Sequence, residues 1–355
     1  MTLFSSLALR GVTMRNRIGV SPMCQYSSSD GFANDWHLVH LGQFAVGGAG
    51  VVLTEATAVT AEGRISPHDL GIWQDAHIEM LARIGRFVRA QGAVWGAQLA
   101  HAGRKASTAR PWDGGGPLDP GHDGWKPIVS ASALPFDIGY QTPVALDDHG
   151  ITRVVDAFRD AARRALLAEM QIVEIHAAHG YLLHQFLSPL SNTRTDRYGG
   201  SFDNRVRIVR DVVRAIRTVW PDERPITVRV SASDWTDGGW TVDDTSALVR
   251  LLHEDGADLF DCSSGGVIPK VSIPLGPGYQ VTFAERVRRD AGVMTAAVGM
   301  ITRPEQADTI VRTGQADMVF LARELLRDPH WPLRAAHELR RDVSWPPQYD
   351  RARLR

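Results

Sequence analysis

Gly50-Val51-Val52-Leu53-Thr54 shows no alternation of polar and apolar residues. A strand with one face in water alternates, whereas an unbroken apolar run suits a strand buried on both faces, as in parallel sheets covered by helices. Met318-Val319-Phe320-Leu321 reads the same way. Outward from these two, short β-rich runs recur at Arg17–Val20, Gly50–Thr54, Ala93–Leu99, Gln171–His176, Ile226–Ser231, Asp258–Ser263, Val293–Val298 and Asp317–Leu321. Between them lie segments stepped by three and four, such as Ile78, Leu81, Ile84, Phe87 and Val88, or Val206, Val209, Val213 and Ile216. Such steps build one apolar helix face. Eight strand–helix units within 355 residues predict the α/β class and a (β/α)8 TIM barrel, formed as a single domain over 1–355. A doubly wound open sheet is the rival, but the G-x-G-x-x-G and G-x-x-x-x-G-K-[ST] motifs of that class are absent.

Two segments break the repeat. Residues 102–143, after the third strand, are too long for a plain connection and rich in Gly, Pro and Trp, so a lid or excursion over the barrel mouth is expected. Residues 345–355 begin Trp345-Pro346-Pro347 and end rich in arginine, a C-terminal tail that cannot continue a helix and must fray or dock.

Composition narrows the function. With 39 basic against 40 acidic residues the net charge is −1, so no broad basic surface recruits nucleic acid or anionic lipid, and small-molecule partners are expected. The 44% hydrophobic content suffices for a sizeable core. Two cysteines, Cys24 and Cys262, exclude a disulfide framework and a four-cysteine metal or iron–sulfur site, and suit a reducing cytoplasm. No apolar run nears the roughly 18 residues of a membrane span. The apolar patch Leu3–Leu9 precedes Arg10, Arg15 and Arg17, the wrong order for a secretory signal, so residue 1 reads as the start of the mature chain.

In a barrel the site is built at the carboxyl ends of the strands. There lie Cys24 and Tyr26, Glu55 and Thr57, Gln98 and His101, His176, His179 and Tyr181, Arg229 and Ser231, Ser264 and Gly265, Gly299 and Arg323. Gly299 and Arg323, after strands seven and eight, suit a phosphate: backbone N–H groups beside a glycine plus a bidentate guanidinium. Alternatively, Gly299 serves only a turn and Arg323 pairs with Glu324 or Asp328. Glu174-Ile175-His176-Ala177-Ala178-His179-Gly180-Tyr181 holds two imidazoles and a phenol, able to donate to one carbonyl oxygen and to deliver a proton beside it. A metal site with Glu174 or His184 as third ligand is the other reading. His37 and His40 read as solvated or packed helix residues.

Several blocks resemble the old yellow enzyme family, in particular its bacterial thermophilic-like subgroup: S-P-M-C-Q-Y from Ser21, E-A-T-A-V from Glu55, Q-L-A-H-A-G-R-K from Gln98, E-I-H-A-A-H-G-Y-L from Glu174, S-N-T-R-T-D-R-Y-G-G-S-F-D-N-R from Ser191, V-R-V-S-A-S-D from Val228, D-C-S-S-G from Asp261 and A-R-E-L-L-R-D-P from Ala322. The resemblance implies an ene-reductase with noncovalent FMN, reduced by NADPH or NADH, that passes hydride to the β carbon of an enone, enal, maleimide or nitroalkene. It implies that Gly299, Ala322 and Arg323 hold the phosphate, Gln98 the pyrimidine edge and Arg229 the N1/O2 region, while Ser21, Pro22, Met23, Cys24 and Ala56 line the ring. His176 and His179 would hold the substrate oxygen, Tyr181 would protonate the α carbon, Tyr26 would position substrate and Cys24 would tune the flavin. Cys262 reads as a small buried hydrophobe. No metal is implied. The resemblance also implies a homodimer or homotetramer in which Arg351, within Gln348-Tyr349-Asp350-Arg351, binds substrate at a neighbouring subunit's site. This chain departs from the pattern in three places: Ala322 stands where many relatives have glycine, the 102–143 excursion is long, and four residues follow Arg351.

Overall fold

The computed structural model describes residues 1–353; Leu354 and Arg355, the end of the expected tail, lie outside the described residues. Twelve strands form: β1 (Leu7–Leu9), β2 (Val12–Met14), β3 (Ile18–Val20), β4 (Val51–Ala58), β5 (Val94–Ala100), β6 (Val129–Ser130), β7 (Val144–Ala145), β8 (Ile172–Ala177), β9 (Ile226–Ser231), β10 (Leu259–Ser263), β11 (Met294–Ala297) and β12 (Met318–Leu321). Eight of them, β3, β4, β5, β8, β9, β10, β11 and β12, pair in parallel into a closed barrel. Closure is made where β12 meets β3, with Val319 opposite Ile18, Phe320 opposite Gly19 and Leu321 opposite Val20. This pairing rules out the open sheet, and the eight expected runs are the eight barrel strands.

The helices are α1 (Asp35–Val46), α2 (Ile78–Ala90), α3 (Asp148–Leu167), α4 (Leu182–Leu187), α5 (Phe202–Arg217), α6 (Val242–Glu254), α7 (Val281–Ala291), α8 (Pro304–Arg312), α9 (Arg323–Arg327) and α10 (Trp331–Glu338). Asn34, Asp147, Ser201 and Thr241 start α1, α3, α5 and α6, each with a side-chain oxygen accepting a first-turn N–H. Val206, Val209, Val213 and Ile216 are all buried, as their spacing requires. On α2 the expected face is incomplete: Phe87 remains 41% exposed and lies across Gly42 of α1, where a Cβ would come within 2.8 Å of its ring. Among the described residues no helix is long and apolar enough to cross a membrane.

The β1–β2 hairpin gives the N-terminal apolar patch its role. Leu7, Leu9, Val12 and Met14 pack on Val51, Val94, Ile172, Leu259 and Met318, which begin or nearly begin their strands. The hairpin therefore plugs the amino end of the barrel and leaves the carboxyl end as the mouth. One boundary differs from expectation. β4 runs four residues past Thr54, because a register shift between Leu53 and Ala56 lets it continue beside β5, so Glu55, Ala56 and Thr57 sit on the strand rather than after it.

The segment 102–143 folds back onto the loop after β4. Arg64 is held between the rings of Trp73 and Trp125, 5.2 and 5.0 Å from their centroids, and Trp125 Nε1 donates to Glu62 O at 3.0 Å. Trp112 meets Tyr26 edge-on at 5.8 Å. The tail corrects the sequence reading: Pro347–Ala352 forms a short 3-10 helix. Proline is tolerated there because a first-turn N–H has no intrahelical acceptor to lose. Tyr349 lies 5.7 Å from His330, and Arg353 pairs with Asp342.

Strand approach inside the barrel is close at Gly96 of β5, where a Cβ would stand 2.4 Å from Ile172 O and 2.9 Å from Leu53 Cδ2. Gly96→Ala is therefore expected to lower unfolding free energy by about 1–3 kcal/mol, the usual cost of overpacking. A urea midpoint equal to that of the unaltered protein would contradict this account of the β5–β8 contact.

Candidate active site at the barrel mouth

His176 is the penultimate residue of β8, and the chain then turns through His179 and Gly180 in left-handed conformations, with φ of 57° and 72°. A Cβ on Gly180 would lie 2.0 Å from Gly266 O, so only glycine lets this loop rest on the loop after β10. The strained turn is clamped. His179 N–H donates to Ser231 Oγ at 2.9 Å, Ser231 Oγ–H donates to Gly265 O at 2.9 Å, and Lys105 Nζ donates to His179 O and Gly266 O at 2.9 and 3.2 Å.

That clamp gathers the expected trio. The His176 ring is edge-on to His179 at 5.1 Å and to Tyr181 at 5.0 Å. His176 Nδ1 accepts the Ala178 N–H at 3.3 Å, which leaves the proton on Nε2, and His179 Nε2 lies 2.7 Å from Ser263 Oγ. Burial, then the positive charge of Arg229, holds both imidazoles well below the usual histidine range, so both are neutral at pH 7. Burial, then the ionisable groups of Cys24, Tyr26 and Asp69, pushes the Tyr181 phenol up, keeping it protonated. Cys24 is likewise pushed up by burial and by Asp69 and Glu55, so it is a thiol rather than a thiolate. Lys105 is brought down to about 8 by burial.

The side chains weighed as a third metal ligand are engaged elsewhere. His184 lies 3.1 Å from Asp234, and Glu174 accepts from Gln98 Nε2 at 2.8 Å. His37 and His40 are buried rather than solvated. His37 completes the capping box with Asn34 and comes within 3.3 Å of Glu55, which in turn accepts the Gln25 N–H at 2.8 Å beside Cys24 and Tyr26.

Across the mouth a cavity of about 470 Å³ is lined by Arg229, Ser263, Tyr279, Gly299, Ala322 and Arg323, among others. Gly299 has φ 117°, and a Cβ there would stand 2.8 Å from Gln280 Nε2. Ala322 has φ −113°, outside the left-handed region that would demand glycine. Arg323 is exposed and makes no ion pair among the described residues; Glu324 is taken by Arg327 at 3.0 Å and Asp328 by Arg334 at 2.9 Å. Neither carboxylate pairs with Arg323 in this structure.

Beneath the mouth, Arg229 Nη1 donates to Ser21 Oγ at 3.0 Å, while Nε lies 3.0 Å from Asp261 Oδ2. The sequence reading missed Asp261 and treated Glu174 only as a possible metal ligand. Strand register supplied the signal: Gln98 faces Glu174, and Asp261 faces Arg229, in adjacent parallel strands. Burial, then the Asp261 carboxyl, raises Glu174 to about 8. Pro22, Met23, Cys24 and Tyr26 sit half-buried after β3, Cys262 is fully buried with Sγ 3.6 Å from Phe260 O, and Arg351 is exposed on the tail with no side-chain hydrogen bond or ion pair among the described residues.

Residues 2–342 match the model of the NADH:flavin oxidoreductase / NADH oxidase family. An NADPH dehydrogenase of Halalkalibacterium halodurans is 47% identical over 99% of both chains, and one of Bacillus subtilis is 44% identical over 98% of both. Among solved structures, morphinone reductase in complex with tetrahydroNAD superposes with a TM-score of 0.78 at 26% identity, covering 98% of this chain and 93% of that one.

Because Glu174 titrates at about 8 when folded and in the ordinary carboxylate range when unfolded, the folded protein holds the extra proton. Its contribution to stability is complete below the unfolded pKa and is lost as pH rises through about 8. Glu174→Gln, which keeps an acceptor for Gln98, should flatten the fall in stability between pH 5 and 8 by up to about 1.4 kcal/mol per pH unit. Denaturant titrations across that range with parallel slopes for both proteins would contradict the assignment.

Proposed function

The chain belongs to the NADH:flavin oxidoreductase / NADH oxidase family and is an FMN-dependent NAD(P)H oxidoreductase, and on that premise we propose that it is an ene-reductase whose acceptors are enones, enals, maleimides and nitroalkenes. The residues present suit noncovalent FMN. Gly299 leaves room for a close approach, Ala322 offers its N–H, and the exposed Arg323 guanidinium, which has no ion pair among the described residues, would hold the phosphate. Gln98 would meet the pyrimidine edge and Arg229 the N1/O2 region, where positive charge favours the reduced ring. Backbone and side chains of Ser21, Pro22, Met23, Cys24 and Ala56 would line it, with the Cys24 thiol tuning its potential. Bound there, the flavin supplies a hydride obtained from NADPH or NADH.

The observation that carries the reading is the pair of rings, His179 and Tyr181, each within 5.1 Å of the His176 ring, which brings together two neutral imidazoles and one protonated phenol. Neutral donors bind a ground-state carbonyl or nitro oxygen modestly. As that oxygen gains charge, the His176 Nε2–H and the His179 imidazole stabilise it in a desolvated site, which is selective for the transition state. The Tyr181 O–H then gives its proton to the α carbon. Tyr26 positions the acceptor, and residues 102–143, which bring Trp112 against Tyr26, act as a lid over the mouth. The protein works in the cytoplasm as a homodimer or homotetramer.

Tyr181→Phe should leave FMN binding and flavin reduction by NADPH nearly unchanged while slowing enone reduction about 100-fold, the usual cost of a lost general acid. Anaerobic stopped flow separates the two steps, and equal slowing of both would contradict the role. The exposed tail would dock on a second copy and carry Arg351 to the partner's mouth. Arg351→Ala should then raise KM roughly five-fold, about 1 kcal/mol of binding, with the oligomer intact in sedimentation. A monomeric, fully active parent protein would sink the tail's role.

A further inference from the structure

Tyr181 lines a second and much smaller cavity of about 10 Å³, together with Ala56, Gly63, Ile65, Asp69 and Ala102 and neighbouring alanines at the ends of β4 and β5. That space is the size of one water probe. Asp69 is 1% exposed and shaped by the turn from Ser66, whose carbonyl accepts the Asp69 N–H at 3.1 Å. Asp69 Oδ2 accepts the Ile65 N–H at 2.6 Å, whereas Oδ1 is buried and has no hydrogen-bond partner among the described residues. An ionised carboxylate with a bare buried oxygen is costly, and the surroundings do not offset it. The acidic groups of Glu55, Cys24, Tyr26 and Tyr181 interact electrostatically with the Asp69 carboxyl, although of these only Tyr181 lines the pocket, and the nearby Arg64 is stacked between Trp73 and Trp125 with Nε and Nη1 donating to Ala61 O and Pro67 O. Lys105, over the face of the Tyr181 ring at 5.0 Å, already donates to two carbonyls. Burial and Glu55 accordingly raise the Asp69 carboxyl well above its usual range.

We propose that Asp69 is the proton reservoir that reloads Tyr181 after each turnover, through a single water in the cavity between them. The inference rests on the reading of Tyr181 as the acid. As the α-carbon C–H bond forms, the Tyr181 O–H bond breaks and leaves a phenolate. The water gives one proton to that phenolate and takes one from Asp69 Oδ1–H, so Asp69 ends as a carboxylate. It recovers its proton from solvent when product leaves the mouth. No electron changes hands in these steps.

Asp69→Asn keeps the volume and an acceptor for the Ile65 N–H but removes the proton. In the FMN-loaded protein at pH 7, infrared difference spectra between parent and variant should show the loss of one protonated-carboxyl C=O band. The first oxidation of reduced enzyme by an enone should stay within about two-fold of the parent, because Tyr181 is already loaded, while steady-state turnover falls at least about five-fold with a larger solvent deuterium isotope effect. An unchanged infrared spectrum, unchanged turnover, or equal loss of first and later turnovers would overturn the proposal. If Asp69→Asn does not fold, time-resolved infrared spectra of the parent through one turnover carry the test: the carboxyl band must bleach after C–H formation, and a constant band overturns the relay. The two readings fail separately. A Tyr181→Phe protein with a normal first turnover removes the acid itself, whereas a slow Tyr181→Phe beside a silent Asp69→Asn removes only the reservoir.

Discussion

Three residue pairs, Ile18 with Val319, Gly19 with Phe320 and Val20 with Leu321, join the last barrel strand to the first. Closure at that seam places all eight carboxyl ends at one mouth, and the β1–β2 hairpin plugging the other end leaves only that mouth for chemistry. It also fixes which side chains share a layer inside the barrel. Gln98 meets Glu174, and Arg229 meets both Asp261 and His176, because the parallel register sets them opposite one another in adjacent strands. Gly19 and Gly96 mark the cost of this geometry, since a Cβ at either would run into a neighbouring strand's ring or carbonyl.

The electrostatics at the mouth follow from burying several ionisable groups under few cations. Burial, then the charge of Arg229, depresses the two imidazoles, Arg229 also attracts Asp261, and Glu174 and Asp69 are kept protonated by burial and by carboxyl neighbours. Neutral imidazoles, a protonated phenol and a protonated thiol make the pocket a set of donors without net charge on the donors themselves. Such a pocket gains its binding energy only when negative charge develops on the bound oxygen, which is the requirement for catalysis rather than tight ground-state binding. Stability is surrendered at both extremes of pH. Buried His40 and His101, each brought down to about 4, resist protonation, and Glu174 resists ionisation until about pH 8.

Much of the fold could be read from unbroken apolar runs such as Val51-Val52-Leu53, because a strand covered on both faces leaves a composition signature independent of its partners. The trio His176, His179 and Tyr181 was readable because it lies within six residues at one strand end. Asp69 and Asp261 were not, since their roles depend on what β4, β5 and β9 bring beside them from distant parts of the chain. The continuation of β4 through Glu55 to Ala58 was hidden by a bulge, which no local pattern announces. The tail's turn of 3-10 helix was missed because Trp345-Pro346-Pro347 was read as a breaker, although proline at a helix start removes no hydrogen bond.

The central claim is that His176 and His179 present neutral donors to a negatively charged oxygen beside bound flavin. The direct measurement is a titration of the FMN-loaded protein with a para-substituted phenol, followed by absorbance at wavelengths beyond the flavin bands. A phenolate oxygen offers these donors the same charge as the developing oxyanion, so a long-wavelength charge-transfer band should appear and saturate. With His176→Ala the band should weaken and the phenol Kd should rise together with enone KM. A band of equal strength and equal Kd in the His176→Ala protein would contradict the account.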